Sequence, residues 1–196
     1  MTRNFEEAYN KTAQIEGYYA NNPDDKGGET YCGIARKFHQ DWKGWKHIDW
    51  WKTRFGTPKW NQRFAKLDDE VKLFYYNAFW NNLRLNEIPL DLAKMIYDVA
   101  VNMGIYKAIE FTQRALNVAN IKEKLWEDLK VDGIIGSKTI RITQTVNSNY
   151  SNKWHEIKIW YICMKGYRYI DIMEKNETQE IFASSWVSRV KFEEKG

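Results

Sequence analysis

The chain has 196 residues, 43% hydrophobic and 29% charged, with only three prolines. That composition excludes a disordered or collagen-like polymer and allows a sizeable buried core. The formal charge of +4 comes from Lys and Arg residues that are dispersed rather than clustered, so no nucleic-acid partner is expected.

In chain order, Asn4 with Glu7 reads as a capping box, and a helix is expected from about Phe5. Its core-facing stripe is Phe5, Ala8, Tyr9, Thr12, Ala13 and then Glu16, which places a carboxylate on the apolar face. Gly17 suits the left-handed residue that ends a helix. Residues 18–30 hold a proline, paired glycines and several Asn and Asp, the composition of a loop or a small irregular hairpin. An aromatic and basic stretch follows from about Ile34 to Leu83, helical in its second half over residues 68–81. Leu92, Met95, Ile96, Val99, Ala100 and Met103 form a helical stripe that stops at Gly104. A second stripe runs from Ala108 to Leu116, Ser137 can cap a short helix, and a long helix is expected from Trp154 to about Glu174. A last helix should lie near residues 179–190. The fold class is therefore mainly α, with at most a small irregular hairpin after the first helix.

Two cysteines, Cys32 and Cys163, lie far apart, and three histidines, His39, His47 and His155, share no metal-binding spacing. No disulfide framework, metal or cofactor is expected. Cys32 has no histidine nearby in sequence and reads as a small buried thiol. The first residues contain no apolar leader, and no run approaches membrane-spanning length. Synthesis in the cytoplasm and no stable membrane insertion are expected.

Glu16 is placed as an acid kept protonated by an apolar setting, which is what cleavage of a glycosidic bond needs. A second carboxylate must then act from a different element across a cleft. Asp25, nine residues on, is the best candidate, and the adjacent Asp24 is its rival, because neighbouring side chains on an extended loop point opposite ways.

The string Glu16-Gly17-Tyr18-Tyr19, then Pro23-Asp24-Asp25-Lys26-Gly27-Gly28-Glu29-Thr30 and Gly33-Ile34, resembles the opening motif of glycoside hydrolase family 108, the N-acetylmuramidases. Tyr97-Asp98 with Asn102-Met103-Gly104, Gln113-Arg114-Ala115-Leu116-Asn117, Val131-Asp132-Gly133-Ile134-Ile135-Gly136 and Trp186 with Arg189-Val190 resemble that family's C-terminal peptidoglycan-binding region. The resemblance implies a lysozyme-like helical fold, with a catalytic region over residues 1–90 and a helical peptidoglycan-binding region over residues 91–196 packed against it, the cleft lying between. It implies Glu16 as the acid, and a similarity to phage-type lysozymes gives Asp25 and Thr30 roles in holding the attacking water. Tyr19, Asp98 and Asn102 are expected to bind substrate, with Asp98 and Asn102 alternatively bonding to backbone at a packed helix end. The partners implied are peptidoglycan glycan strands and a holin or other export route by which the enzyme reaches the wall. A lytic transglycosylase and a non-enzymatic wall-binding protein are the rival readings. Tyr18, Asn22, Lys26 and Ser185 depart from the family's pattern, and Tyr18 adds bulk beside the acid.

Overall fold

A computed structural model describes residues 1–12, 17–21 and 28–190. The chain folds as two compact units, Met1–Asn82 and Leu83–Gly196.

In the first unit, helix α1 spans Arg3–Thr12. It begins two residues earlier than the capping box at Asn4 predicts. Thr2 takes the capping role, its hydroxyl accepting the Phe5 N–H at 3.4 Å, while Glu7 pairs with Arg3 one turn away at 3.3 Å. The expected hairpin is a three-stranded antiparallel sheet of β1 (Tyr19–Asn21), β2 (Glu29–Tyr31) and β3 (Ile34–Ala35). Its register pairs Ala20 with Thr30 and Thr30 with Ala35. Helix α2 (Gly44–Phe55) was not foreseen as an element. Trp45 and Ile48 face inward, but Trp50 is 48% exposed, so aromatic residues on both faces blur the helical period.

Tyr19, Tyr31, Ile34, Trp42, Trp45, Ile48, Phe64, Leu67 and Val71 form one buried cluster beneath the sheet. Tyr31 stacks on Trp42 with ring centres 5.9 Å apart. Helix α3 covers Asp68–Tyr75 and opens with three acidic residues that favour the helix N-terminus. Tyr76–Asn81 continue it as a widened π turn, within the helical stretch expected over residues 68–81. Trp80 is fully buried there, 5.8 Å from Phe5, and its truncation to Ala should cost about 3–5 kcal/mol.

The second unit contains α4 (Leu90–Met103), α5 (Ile105–Ala119), α6 (Ser137–Asn149), α7 (Trp154–Lys175) and α8 (Ala183–Ser188). Gly104, at φ +90°, is the only residue between α4 and α5, as the stripe ending there predicts. Gly136 rather than Ser137 occupies the cap of α6, and Ser137 is its first helical residue. Near residues 179–190, a 3₁₀ segment (Glu177–Phe182) precedes the short α8.

The segment between α5 and α6 has little regular structure, and side-chain amides of α5 hold it. Gln113 accepts the N–H groups of Asp132 (3.1 Å) and Gly133 (2.9 Å) and donates to the Asp132 carboxylate (2.9 Å) and the Ile134 carbonyl (3.1 Å). Asn117 bonds both backbone groups of Leu129, at 2.7 and 2.8 Å. Asn120 donates to Asp128 at 2.6 Å and accepts from the Glu123 N–H at 3.1 Å. Residues 113, 117 and 120 share one helical face. The Gln113-to-Asn117 and Val131-to-Gly136 motifs thus meet as helix and strap. Ile121, Lys122 and Glu123 all have φ between +56° and +61°, a left-handed run that is sterically costly for residues with a Cβ.

Candidate active site

Glu16, Asp25 and Asp24 lie outside the described residues. The chain that follows Glu16 is described and is tightly held. Gly17 has φ +151°, a backbone region that L side chains rarely adopt. The Tyr18 N–H donates to the Asn61 side-chain oxygen at 2.7 Å, and the Asn61 N–H donates to the Tyr19 carbonyl at 2.7 Å. Asn61 itself sits in the left-handed region at φ +59°, where Asn is among the better-tolerated residues with a Cβ. The Tyr18 ring lies 5.6 Å beneath the Arg63 guanidinium, and Arg63 is in turn paired with Asp68 at 2.5 Å. The added bulk of Tyr18 thus packs under a charged neighbour.

Thr30 is half-buried in the central strand β2, its hydroxyl donating to the Gly28 carbonyl at 3.2 Å, which leaves its oxygen able to accept a further bond. Tyr19 is only 2% exposed, so its ring belongs to the core cluster. Its hydroxyl, whose pKa burial pushes well up, donates to Glu29 at 2.8 Å. Glu29 also lies in ion-pair contact with Arg36, 2.7 Å from its Nε, and with Lys52 Nζ. Arg36 forks onto Asp49 at 2.6 and 3.1 Å and lies 4.4 Å over the Trp45 ring. Beside Thr30, then, a half-buried charge network ties β2 to α2. Cys32 is buried, and burial pushes its thiol up to about 12, which leaves almost no thiolate at neutral pH.

Asp98 and Asn102 occupy the last two turns of α4 in the second unit. Asn102 donates to the Asp98 carbonyl at 2.7 Å and to its carboxylate at 3.2 Å. Arg189 makes a short bond to the Asn102 side-chain oxygen. Asp98 makes a short ion pair with Lys165, which also donates to the Arg189 carbonyl at 2.6 Å. The structure therefore brings Tyr19 and Thr30 together in one sheet, and Asp98 and Asn102 into one polar knot joining α4, α7 and the end of α8.

Sequence reasoning passed over Asn61, Lys165 and the role of Glu29. Lys165 had a usable signal, because Ile157, Tyr161, Lys165 and Tyr169 recur every fourth residue on the buried stripe of α7. A lysine on such a stripe needs an acidic partner.

Among the described residues no helix is long and apolar enough to cross a membrane. Residues 9–104 match the family model described as glycosyl hydrolase 108, and residues 107–191 match the one described as a predicted peptidoglycan domain. No curated protein matches the chain. Among solved structures, that of Brucella abortus SagA matches with a TM-score of 0.57 at 19% identity, over 95% of this chain and 88% of that one. At that identity the likeness speaks for the fold. From Tyr9 to Gly104 and on through the helices that follow, the chain is a glycosyl hydrolase with a C-terminal predicted peptidoglycan domain, and it belongs to the glycosyl hydrolase 108 family.

Proposed function

We propose that the enzyme is an N-acetylmuramidase, hydrolysing the β-1,4 bond between N-acetylmuramic acid and N-acetylglucosamine in peptidoglycan. Glu16 gives its proton to the leaving oxygen, Asp25 activates the attacking water, and Thr30 helps to hold that water. One observation carries this reading. The glycosyl hydrolase 108 match spans Glu16, Asp25 and Thr30, and the register that pairs Ala20 with Thr30 folds the chain following Glu16 against the strand bearing Thr30. Tyr19 supports this site from below by holding Glu29, and Asn102 serves substrate binding in the second unit. The enzyme reaches the wall through a holin-like or other non-classical export route.

The test is digestion of purified peptidoglycan by wild type and by Glu16→Gln, Asp25→Asn and Asp24→Asn, with mass spectrometry of the fragments. Wild type should release hydrated reducing ends, and Glu16→Gln and Asp25→Asn should be folded but inactive. Anhydro products would replace hydrolysis by transglycosylation. An active Glu16→Gln enzyme would remove Glu16 from the mechanism, and a dead Asp24→Asn beside an active Asp25→Asn would move the base to Asp24.

A further inference from the structure

A cavity of about 280 Å³ opens in the second unit between α4, α7 and α8, lined by Asn102, Met103, Arg168, Tyr169, Ile172 and Trp186. Its polar groups are mainly donors. Tyr169 is only 5% exposed, and its hydroxyl is buried with no hydrogen-bond partner among the described residues. An unpaired buried hydroxyl is costly unless something arrives to meet it. Trp186 lines the same cavity, and its indole N–H can only donate. Its ring is already stacked by the protein: Tyr169 lies nearly parallel at 4.7 Å and Phe182 at 5.9 Å.

The surrounding charge is net positive, although Asp98 and Asp171 both lie within it. Arg168 makes a short pair with Asp171, but Asp171 is shared with Lys175 at 2.5 Å. Asp98 is matched by Lys165, and Arg189 spends one guanidinium nitrogen on the neutral Asn102 amide. Four basic side chains thus stand against two acidic ones. Unspent donors, excess positive charge and an apolar wall of Met103 and Ile172 describe a receptor for a carboxylate on a small apolar group. A neutral sugar, which offers its own donors and seeks an open aromatic face, is a poorer match.

We infer that this cavity binds a free carboxylate of the peptidoglycan stem peptide, with Arg168, the Tyr169 hydroxyl and the Trp186 indole N–H as its donors. The inference rests on peptidoglycan being the substrate, and it adds which part of that polymer the second unit reads. The ligand is the peptide rather than the glycan, so unpeptidated strands are cleaved but not held here.

The experiment uses the full chain carrying Glu16→Gln, so that binding is read without turnover. Titration with a free tetrapeptide stem ending in D-alanine should shift the Trp186 indole resonance in proton–nitrogen NMR. The same peptide with its C-terminal carboxylate amidated should bind about tenfold more weakly. Arg168→Gln should lose about tenfold in affinity for the acid and little for the amide. Tyr169→Phe keeps the stacked ring and removes only the hydroxyl, so it should weaken acid binding while leaving the unfolding midpoint unchanged or raised. Equal affinity for acid and amide would overturn the proposal. So would an indole shift produced by peptide-free glycan chains and not by the peptide. Release of reducing ends from peptide-free glycan by the wild-type enzyme, measured separately, reports on the hydrolase reading alone.

Discussion

Replacing Asn61 isolates what holds the backbone beside the proposed acid. Asn61 supplies an acceptor for the Tyr18 N–H at 2.7 Å and occupies a left-handed conformation at φ +59°. Asn61→Ala loses both. The missing bond should cost about 0.5–1 kcal/mol, at the low end because the site is exposed and water can substitute, and alanine in the left-handed region adds roughly 1–2 kcal/mol. Asn61→Gly accepts the conformation and loses only the acceptor, so it should cost about 0.5–1 kcal/mol. Asn61→Asp keeps both features and should be nearly neutral. Urea unfolding of the three variants gives these differences directly, and hydrolysis measured where each is fully folded gives the functional part. If fixing residues 18 and 19 also places Glu16, the Gly variant should lose about tenfold in rate despite its mild instability, and Asp should restore it. An Ala variant no less stable than the Gly variant would refute the conformational argument. A Gly variant with full activity would refute the positioning argument.

Gly33 and Gly28 both have positive φ, but a Cβ at Gly33 would lie 2.7 Å from the Tyr75 hydroxyl while one at Gly28 meets nothing within 4 Å. Gly28→Ala should therefore cost about 1 kcal/mol and Gly33→Ala about 2–3 kcal/mol by denaturant unfolding, since Tyr75 must also loosen its 2.9 Å bond to the Cys32 carbonyl. Gln113→Leu leaves the buried Gly133 N–H and its neighbours unpaired and should cost about 2–4 kcal/mol. Asp132 is held below the usual carboxylate range, first by the Gln113 amide and then by the Ile134 N–H. Because that pKa is depressed in the fold, its stabilisation is complete above about pH 4 and is lost as the pH falls through the lower folded value. Acid unfolding should accordingly flatten in Gln113→Leu, and an unchanged pH slope would remove Asp132 from the account. Lys122→Gly relieves one residue of the left-handed run and should raise stability by about 0.5 kcal/mol, read as a higher urea midpoint.

The helices from Leu90 onward were legible because their apolar residues recur with one period and a glycine stops the first stripe. The sheet was legible only as a turn-rich segment, since three strands of two or three residues each are too short to show alternation. Helix α2 was hidden by its outward aromatics, Trp50 and Phe55, which fill positions that a polar face normally marks. Asn61 was invisible for another reason. Nothing in Trp60-Asn61-Gln62-Arg63 distinguishes a left-handed clamp from an ordinary polar turn, because the Tyr18 N–H that Asn61 accepts lies 43 residues earlier in the chain. Asp98 and Asn102 were legible as a polar pair at a packed helix end, but their connection to Lys165 and Arg189 is a tertiary fact, at which only the place of Lys165 on the buried stripe of α7 hints.

The amides along α5 also set where this protein tolerates a change of length. Asn120 grips residue 128, Asn117 residue 129, and Gln113 residues 132 to 134, so the strap runs back along the helix with its spacing dictated by the helix's own rise. One residue inserted between Leu129 and Asp132 would put the Gln113 grip out of step with the other two and strand the buried Gly133 N–H. An insertion among the exposed residues 121–124 would sacrifice the Glu123 cap and leave every pairing from 128 to 134 intact. Natural length variation, or an affinity tag spliced in by design, belongs at that left-handed corner.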